Sequence, residues 1–345
     1  MSKKLLAEWY PQDAIQIAWP HAGTDWARLL ADIEAFYYEL VATLSHQQQV
    51  LIAGDPSLDS ERIFAGLSRR GANLGNLHWF KVATDNTWAR DHGPISIGDD
   101  SGIELLDFEF NAWGDKYGSS LDNAINREIQ QKKGYRAPLR HVDFVLEGGS
   151  IETDGMGTLL STTTCLLNPN RNSGMQLQAV EAQLRKHLGI ERFLWLQHGN
   201  LAGDDTDAHV DTLARFVDAG TIAYVQCTDR ADPHYDALAR MEAELQGFRQ
   251  ADGQVYRLVP LPLPGAITNA AGERLPATYA NFLITNRSLL LPVYGDPADT
   301  QAIQAMSAVA GDRSVVPINC RTPIEEFGSL HCLTMQLPKG AINDA

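Results

Sequence analysis

The chain has 345 residues, 44% of them hydrophobic and 21% charged, with a formal net charge of −15, the make-up of a globular protein with ample core material. The acidity disfavours nucleic acid and anionic membrane as partners, no run approaches the length of a membrane span, and the opening MSKKLLAEWYPQDA lacks the apolar stretch of a secretory signal, so a cytoplasmic protein is expected. Cys165, Cys227, Cys320 and Cys332 are widely spaced with no C-x-x-C, which argues against a disulfide framework or a structural zinc site.

Thr24 is placed to cap a helix whose apolar positions, from Trp26 through Ile33, Phe36, Tyr37 and Leu40 to Leu44, follow helical spacing. A strand at residues 50–53, a short helix over 59–68 and a strand at 77–82 follow. Beyond WARD at 88–91, residues 95–97 and 103–110 read as a hairpin turned by Asp99-Asp100-Ser101-Gly102. Ser119 or Ser120 can cap a helix running to Gly134, and residues 142–146 form a strand leading into Glu147-Gly148-Gly149. A second hairpin spans 151–167, followed by a helix near 175–188 and a strand at 193–196.

Residues 209–216 read as a strand that turns at Asp218-Ala219-Gly220 and returns over 222–226. Asp232-Pro233 and Asp296-Pro297 each give an N-cap followed by proline at the first helical position. Between those helices lie a strand at 255–261 and a hairpin of 279–285 with 288–293. Strands at 315–318 and 330–336 close the chain. The recurring order is strand, turn, strand, helix, strand, a repeated module argued from element order alone. No linker divides the chain, so a single domain over 1–345 is expected.

The stretch DDTDAHVDTLARF at 204–216 gathers three acids ahead of a His-x-Asp pair. On a strand, His209 and Asp211 share one face, and an imidazole beside a carboxylate suits proton transfer near neutral pH. By itself the stretch reads first as an acidic turn before a half-buried strand. Cys332, in FGSLHCL, reads alone as a small buried hydrophobe, and alternatively as a nucleophilic thiol after a glycine turn. On a strand His331 faces away from Cys332, which makes His209 the better base candidate. Asp91 is a candidate partner for a cationic substrate and Glu147 for orienting His209; Trp88 and Trp113 are aromatic anchors or pocket walls. Walker A, H-E-x-x-H, G-x-S-x-G and zinc-deaminase patterns are all absent from the sequence.

Seven strings, WARDHGP, FNAWGDKYG, LEGGSIETDG, CLLNPNRN, DDTDAHVD, AGERLPATYANF and GSLHCLTMQ, occur in the order seen in agmatine deiminases. From YPQDAIQIAWPH to Pro338 the chain resembles that family, the bacterial peptidylarginine-deiminase type of guanidine-modifying enzyme. The resemblance implies an α/β fold, a five-bladed pseudo-fivefold propeller of ββαβ modules. It implies Cys332 as nucleophile, with Asp91, Glu147, His209 and Asp211 as the other catalytic groups. It implies Trp88, Trp113, Asp204 and Asp205 at the substrate, with Asp205 aligned to the family glutamate at the amine end. Two departures stand out: Phe327-Gly328-Ser329-Leu330 replaces a glycine-rich G-G-G-N, and Asp204-Asp205-Thr206-Asp207 replaces D-E-T-N.

The activity so implied is hydrolytic deimination of agmatine through a covalent amidino-thioether, without metal or organic cofactor. A deiminase of arginine or peptidyl-arginine, an amidinotransferase and a non-catalytic binder of guanidino compounds are the alternatives. The expected partner is a small cationic guanidino compound, and the family resemblance also admits a homo-oligomer.

Overall fold

Helices form where apolar residues return every three or four positions. Leu177–Leu188 buries Val180, Leu184 and Leu188, and Tyr235–Gly247 buries Leu238, Met241 and Leu245, one stripe each for the sheet beneath. Ser60–Arg69 starts one residue after the expected position: Asp59 is its N-cap, its carboxylate accepting the amide of Arg62. The first long helix starts differently: Thr24 donates its hydroxyl to the carbonyl of His21 and does not cap. A 3-10 turn, Asp25–Leu29, leads into Leu30–Ser45.

The computed structural model describes residues 3–343, so residues 1–2 and 344–345, the ends of the expected domain, lie outside the described residues. The chain forms two compact units. One comprises Gly149–His331 with the N-terminal segment up to Trp9; the other comprises Tyr10–Gly148 with the segment from Cys332 onward.

In the first unit, three modules repeat one plan. Ile151–Thr153 pairs antiparallel with Thr158–Thr162, which pairs parallel with Arg192–Leu196 after the helix 177–188. Ala214–Asp218, Thr221–Gln226 and Arg257–Pro262 do the same around the helix 235–247. So do Leu283–Ile284, Ser288–Val293 and Ser314–Asn319 around Asp299–Ser307.

The second unit holds two more modules. Ile95–Asp99 pairs antiparallel with Gly102–Glu109, and that strand pairs parallel with Leu139–Val145 after the helix Ile125–Gln131. The other is closed by both ends of the chain. Met335–Pro338 pairs antiparallel with Gln12–Ala18, which pairs parallel with Gln49–Gly54, and that strand with Leu77–Lys81. Ala14, Leu51, Leu105, Ile125, Ile129 and Leu337 belong to one buried cluster in this unit.

Two expected strands are corrected. Residues 209–216 do not run as one strand: Val210–Thr212 is a 3-10 turn, and the strand begins at Ala214. Asp204 accepts the amides of Thr206 and Ala208, Thr206 accepts the amide of His209, and the Thr212 hydroxyl donates to the His209 carbonyl. These local bonds satisfy backbone groups that a ladder would need. Residues 330–333 are likewise a turn, and the last strand begins at Met335. There the His331 amide is taken by the carbonyl and the side-chain oxygen of Asn281. Among the described residues, no helix is long and apolar enough to cross a membrane.

Candidate active site

Three of the five expected catalytic residues, Asp91, Glu147 and Cys332, belong to the second unit; His209 and Asp211 belong to the first. All five are buried, with exposures of 0–6%.

In the second unit Asp91 sits in a one-turn helix, Ala89–His92. The Arg90 amide donates to the Cys332 carbonyl at 3.0 Å, and the Arg90 guanidinium donates to Gln336 Oε1 at 2.6 Å. Gly148, directly after Glu147, passes so close that a Cβ there would lie 2.2 Å from the Arg90 carbonyl oxygen. Only glycine fits such an approach. One arginine backbone thus brings the segments of Asp91, Glu147 and Cys332 together.

Trp113 Nε1 donates to Asp91 Oδ2 at 2.9 Å. Ala112, Trp113, Gly114 and Asp115 all have positive φ, between 48° and 92°. This is a left-handed turn built mostly of non-glycine residues, at a cost of roughly 1–2 kcal/mol per residue. Asn111 Oδ1 holds it by accepting the Gly114 amide at 3.0 Å. Phe110 and Tyr117 pack edge-on against the Trp113 ring. Trp88 packs against Trp26, at 5.7 Å between ring centroids.

In the first unit His209 leads the turn 210–212 and follows Asp207 and Ala208, both at φ 65°. Arg171, from the NPNRN string, holds this strained pair: it donates to Asp207 Oδ2 and to the Thr206 carbonyl, each at 2.8 Å. Asp204 is committed to the loop through its bonds to Thr206 and Ala208.

Asp211 Oδ2 lies 2.7 Å from His331 Nδ1. Burial pushes the Asp211 carboxyl up, but the hydrogen bond and charge of His331 outweigh it and hold the group below the usual carboxylate range. Behind His331 stand Glu8, Arg215 and Glu152. Sequence reasoning missed all three, although an arginine inside the apolar strand 214–218 signals a buried ion pair. Ligand-type atoms of Glu8, Glu152 and His331 lie within 4.8 Å of one another. The Arg215 guanidinium donates to both carboxylates at 2.6 Å, so the cation that neutralises them is a side chain.

The model of the Porphyromonas-type peptidyl-arginine deiminase family matches residues 4–338. The chain belongs to that family. It is 32% identical to an agmatine deiminase of Stutzerimonas stutzeri over 96% of this chain and 94% of that one. A crystal structure provisionally described as the arginine deiminase of Porphyromonas gingivalis is 44% identical, with a TM-score of 0.93 over 99% of this chain and 100% of the other. The agmatine deiminase of C. jejuni with substrate bound is 36% identical, with a TM-score of 0.91 over 99% and 98%. The altered stretch 327–330 lies inside the matched residues.

Proposed function

We propose that the chain hydrolyses agmatine to N-carbamoylputrescine and ammonia. The observation that carries this reading is the near-full-length similarity to an agmatine deiminase with substrate bound, joined to the presence here of Cys332, Asp91, Glu147, His209 and Asp211.

A guanidinium is planar, cationic and resonance-stabilised, so its carbon accepts a nucleophile only when its plane is fixed. Asp91 and Asp211 hold its N–H groups in charge-assisted hydrogen bonds. Trp113 and His331 fix one oxygen of each of those carboxylates. The Cys332 thiolate forms a C–S bond to the guanidinium carbon, and the C–N bond to one terminal nitrogen breaks. His209, oriented by Glu147, gives that nitrogen its proton, and ammonia leaves. Water then adds to the amidino-thioether carbon, losing a proton to His209. The C–S bond breaks, Cys332 is regenerated and the ureido product departs. This chemistry calls for no metal or organic cofactor, and chelators are expected to leave turnover unchanged.

We assign the chain as one guanidine-modifying catalytic domain with its modules in a five-bladed pseudo-fivefold propeller. The five ββαβ repeats support that arrangement. A cytoplasmic enzyme of polyamine metabolism and putrescine formation fits the substrate, and a homo-oligomer fits the family.

A second reading, deimination of arginine or peptidyl-arginine, is favoured by the 44% identity to the P. gingivalis structure. Ammonia release from agmatine, free arginine and a peptidyl-arginine, with Cys332→Ala as control, decides between them. Agmatine is expected to give the highest kcat/KM; a higher value for either other substrate removes the assignment.

A further inference from the structure

Three carboxylates and two nitrogen bases form one buried chain in the first unit. Arg215 donates from Nε to Glu152 Oε1 and from Nη2 to Glu8 Oε2, each at 2.6 Å. Glu8 Oε2 also lies 2.7 Å from His331 Nε2, and His331 Nδ1 lies 2.7 Å from Asp211 Oδ2. None of the five residues is more than 7% exposed, so water screens these contacts little.

Main-chain bonds hold the same groups. Glu8 Oε1 accepts the Ile284 amide at 2.6 Å, and Arg215 donates from Nη1 to the Phe282 carbonyl. Asn281 accepts the His331 amide and donates to the Asp211 carbonyl at 3.3 Å. Ring and backbone of His331 are thus both pinned.

A carboxylate oxygen can only accept a hydrogen bond, whereas a singly protonated imidazole offers one donor and one acceptor. A neutral His331 facing two ionised carboxylates would set an acceptor against an acceptor across 2.7 Å on one side. With a proton on each ring nitrogen both contacts are satisfied. The five groups then sum to one negative charge, the complement of a single guanidinium.

We infer that Glu8, in the N-terminal segment, is a positioning residue for the reaction: it keeps both protons on the His331 ring and aims that ring at Asp211, so fixing the carboxylate that receives the guanidinium. Arg215 and Glu152 hold Glu8 in turn. The kinetic part of this inference rests on the role proposed above for Asp211; the protonation of His331 does not.

Neutron diffraction from wild-type crystals exchanged at a pD of about 8 reads the protonation directly. Deuterons on both His331 nitrogens are expected, and a single deuteron overturns the inference. That count is obtained whether or not the protein turns over agmatine, so failure of the deimination reading is a separate result. In kinetics, Glu8→Gln and His331→Asn are each expected to lower kcat/KM for agmatine by about tenfold or more. The double variant should lose no more than the worse single, because the two residues act in series. In an Asp211→Asn background, Glu8→Gln should cost little further activity. Multiplicative losses in either combination, or an unchanged kcat/KM in Glu8→Gln, overturn the positioning role.

Discussion

The amide of Arg90 donates to the carbonyl of Cys332 at 3.0 Å, so the residue beside Asp91 and the proposed nucleophile share a hydrogen bond across most of the chain. That bond holds Cys332 by its backbone, which the substitution of its side chain leaves in place. Cys332→Ala is expected to lower turnover by at least about a thousandfold while retaining a cooperative unfolding transition. Intact-mass and peptide analysis of protein quenched during turnover should find the amidino adduct on Cys332. Its appearance on Cys165, Cys227 or Cys320 would falsify the assignment.

The same segment is sensitive to added volume behind it. A Cβ on Gly148 would lie 2.2 Å from the Arg90 carbonyl oxygen, a backbone atom with no rotamer to yield. Gly148→Ala should therefore displace the Asp91 segment and reduce kcat/KM by about a hundredfold or more. Ala at Gly118, where no atom lies within 4 Å of the added methyl, is the control and should leave the rate within about twofold. Equal rates in the two variants contradict the close approach.

Trp113 reaches Asp91 from a left-handed turn, and the strain and the contact can be separated. Trp113→Phe keeps the ring but removes the N–H donated to Asp91. A loss of about 1.5–3 kcal/mol in transition-state stabilisation is expected, as for other hydrogen bonds to charged groups. Asp115→Gly relieves a positive φ of 62° and should stabilise the fold by up to about 1 kcal/mol in denaturant titrations.

Adjacent acids are expected to differ in kind. Asp204 accepts three bonds from Thr206 and Ala208, so Asp204→Ala should loosen the His209 loop and lower kcat for every substrate by about tenfold or more. Asp205, proposed at the amine end, should act on choice: Asp205→Asn narrows the preference for agmatine over arginine by about tenfold. Comparing kcat/KM for both substrates in both variants checks this. An unchanged preference in Asp205→Asn removes that residue from recognition.

Stability in acid should report on His92, which is 3% exposed and whose ring nitrogens have no hydrogen-bond partner among the described residues. Burial depresses its pKa from 6.5 to about 3. The unfolded chain therefore binds a proton that the folded one refuses, and stability falls as pH drops through this window. The slope is up to about 1.4 kcal/mol per pH unit. Asp122 acts in the opposite sense: burial raises its carboxyl from 3.8 to about 7, so the folded chain takes up a proton first and its share of stability fades as pH rises towards 7. The difference between wild type and His92→Gln isolates the histidine. In urea titrations the wild type should lose stability relative to the variant on going from pH 7 to about pH 5; a constant difference rules out a buried neutral histidine.

Local pattern carried much of this fold. Helical periodicity, the hairpin turns and the order strand, strand, helix, strand depend on neighbours within a few positions, and the sequence is sufficient for those. Cys332, Asp91, Glu147, His209 and Asp211 could be named as a candidate set through seven ordered strings, before any geometry, and their catalytic roles are the proposal made above. What the tertiary structure alone decided lies at larger separations. Glu8 meets His331 across 323 positions and Arg215 across 207, and no periodicity marks such a partner. The strand expected through His209 gave way because Asp204, Thr206 and Thr212 bond nearby backbone groups, and the left-handed turn at 112–115 places Trp113 on Asp91. In each case a buried polar group had to find a partner, and only the folded chain determines which one is within reach.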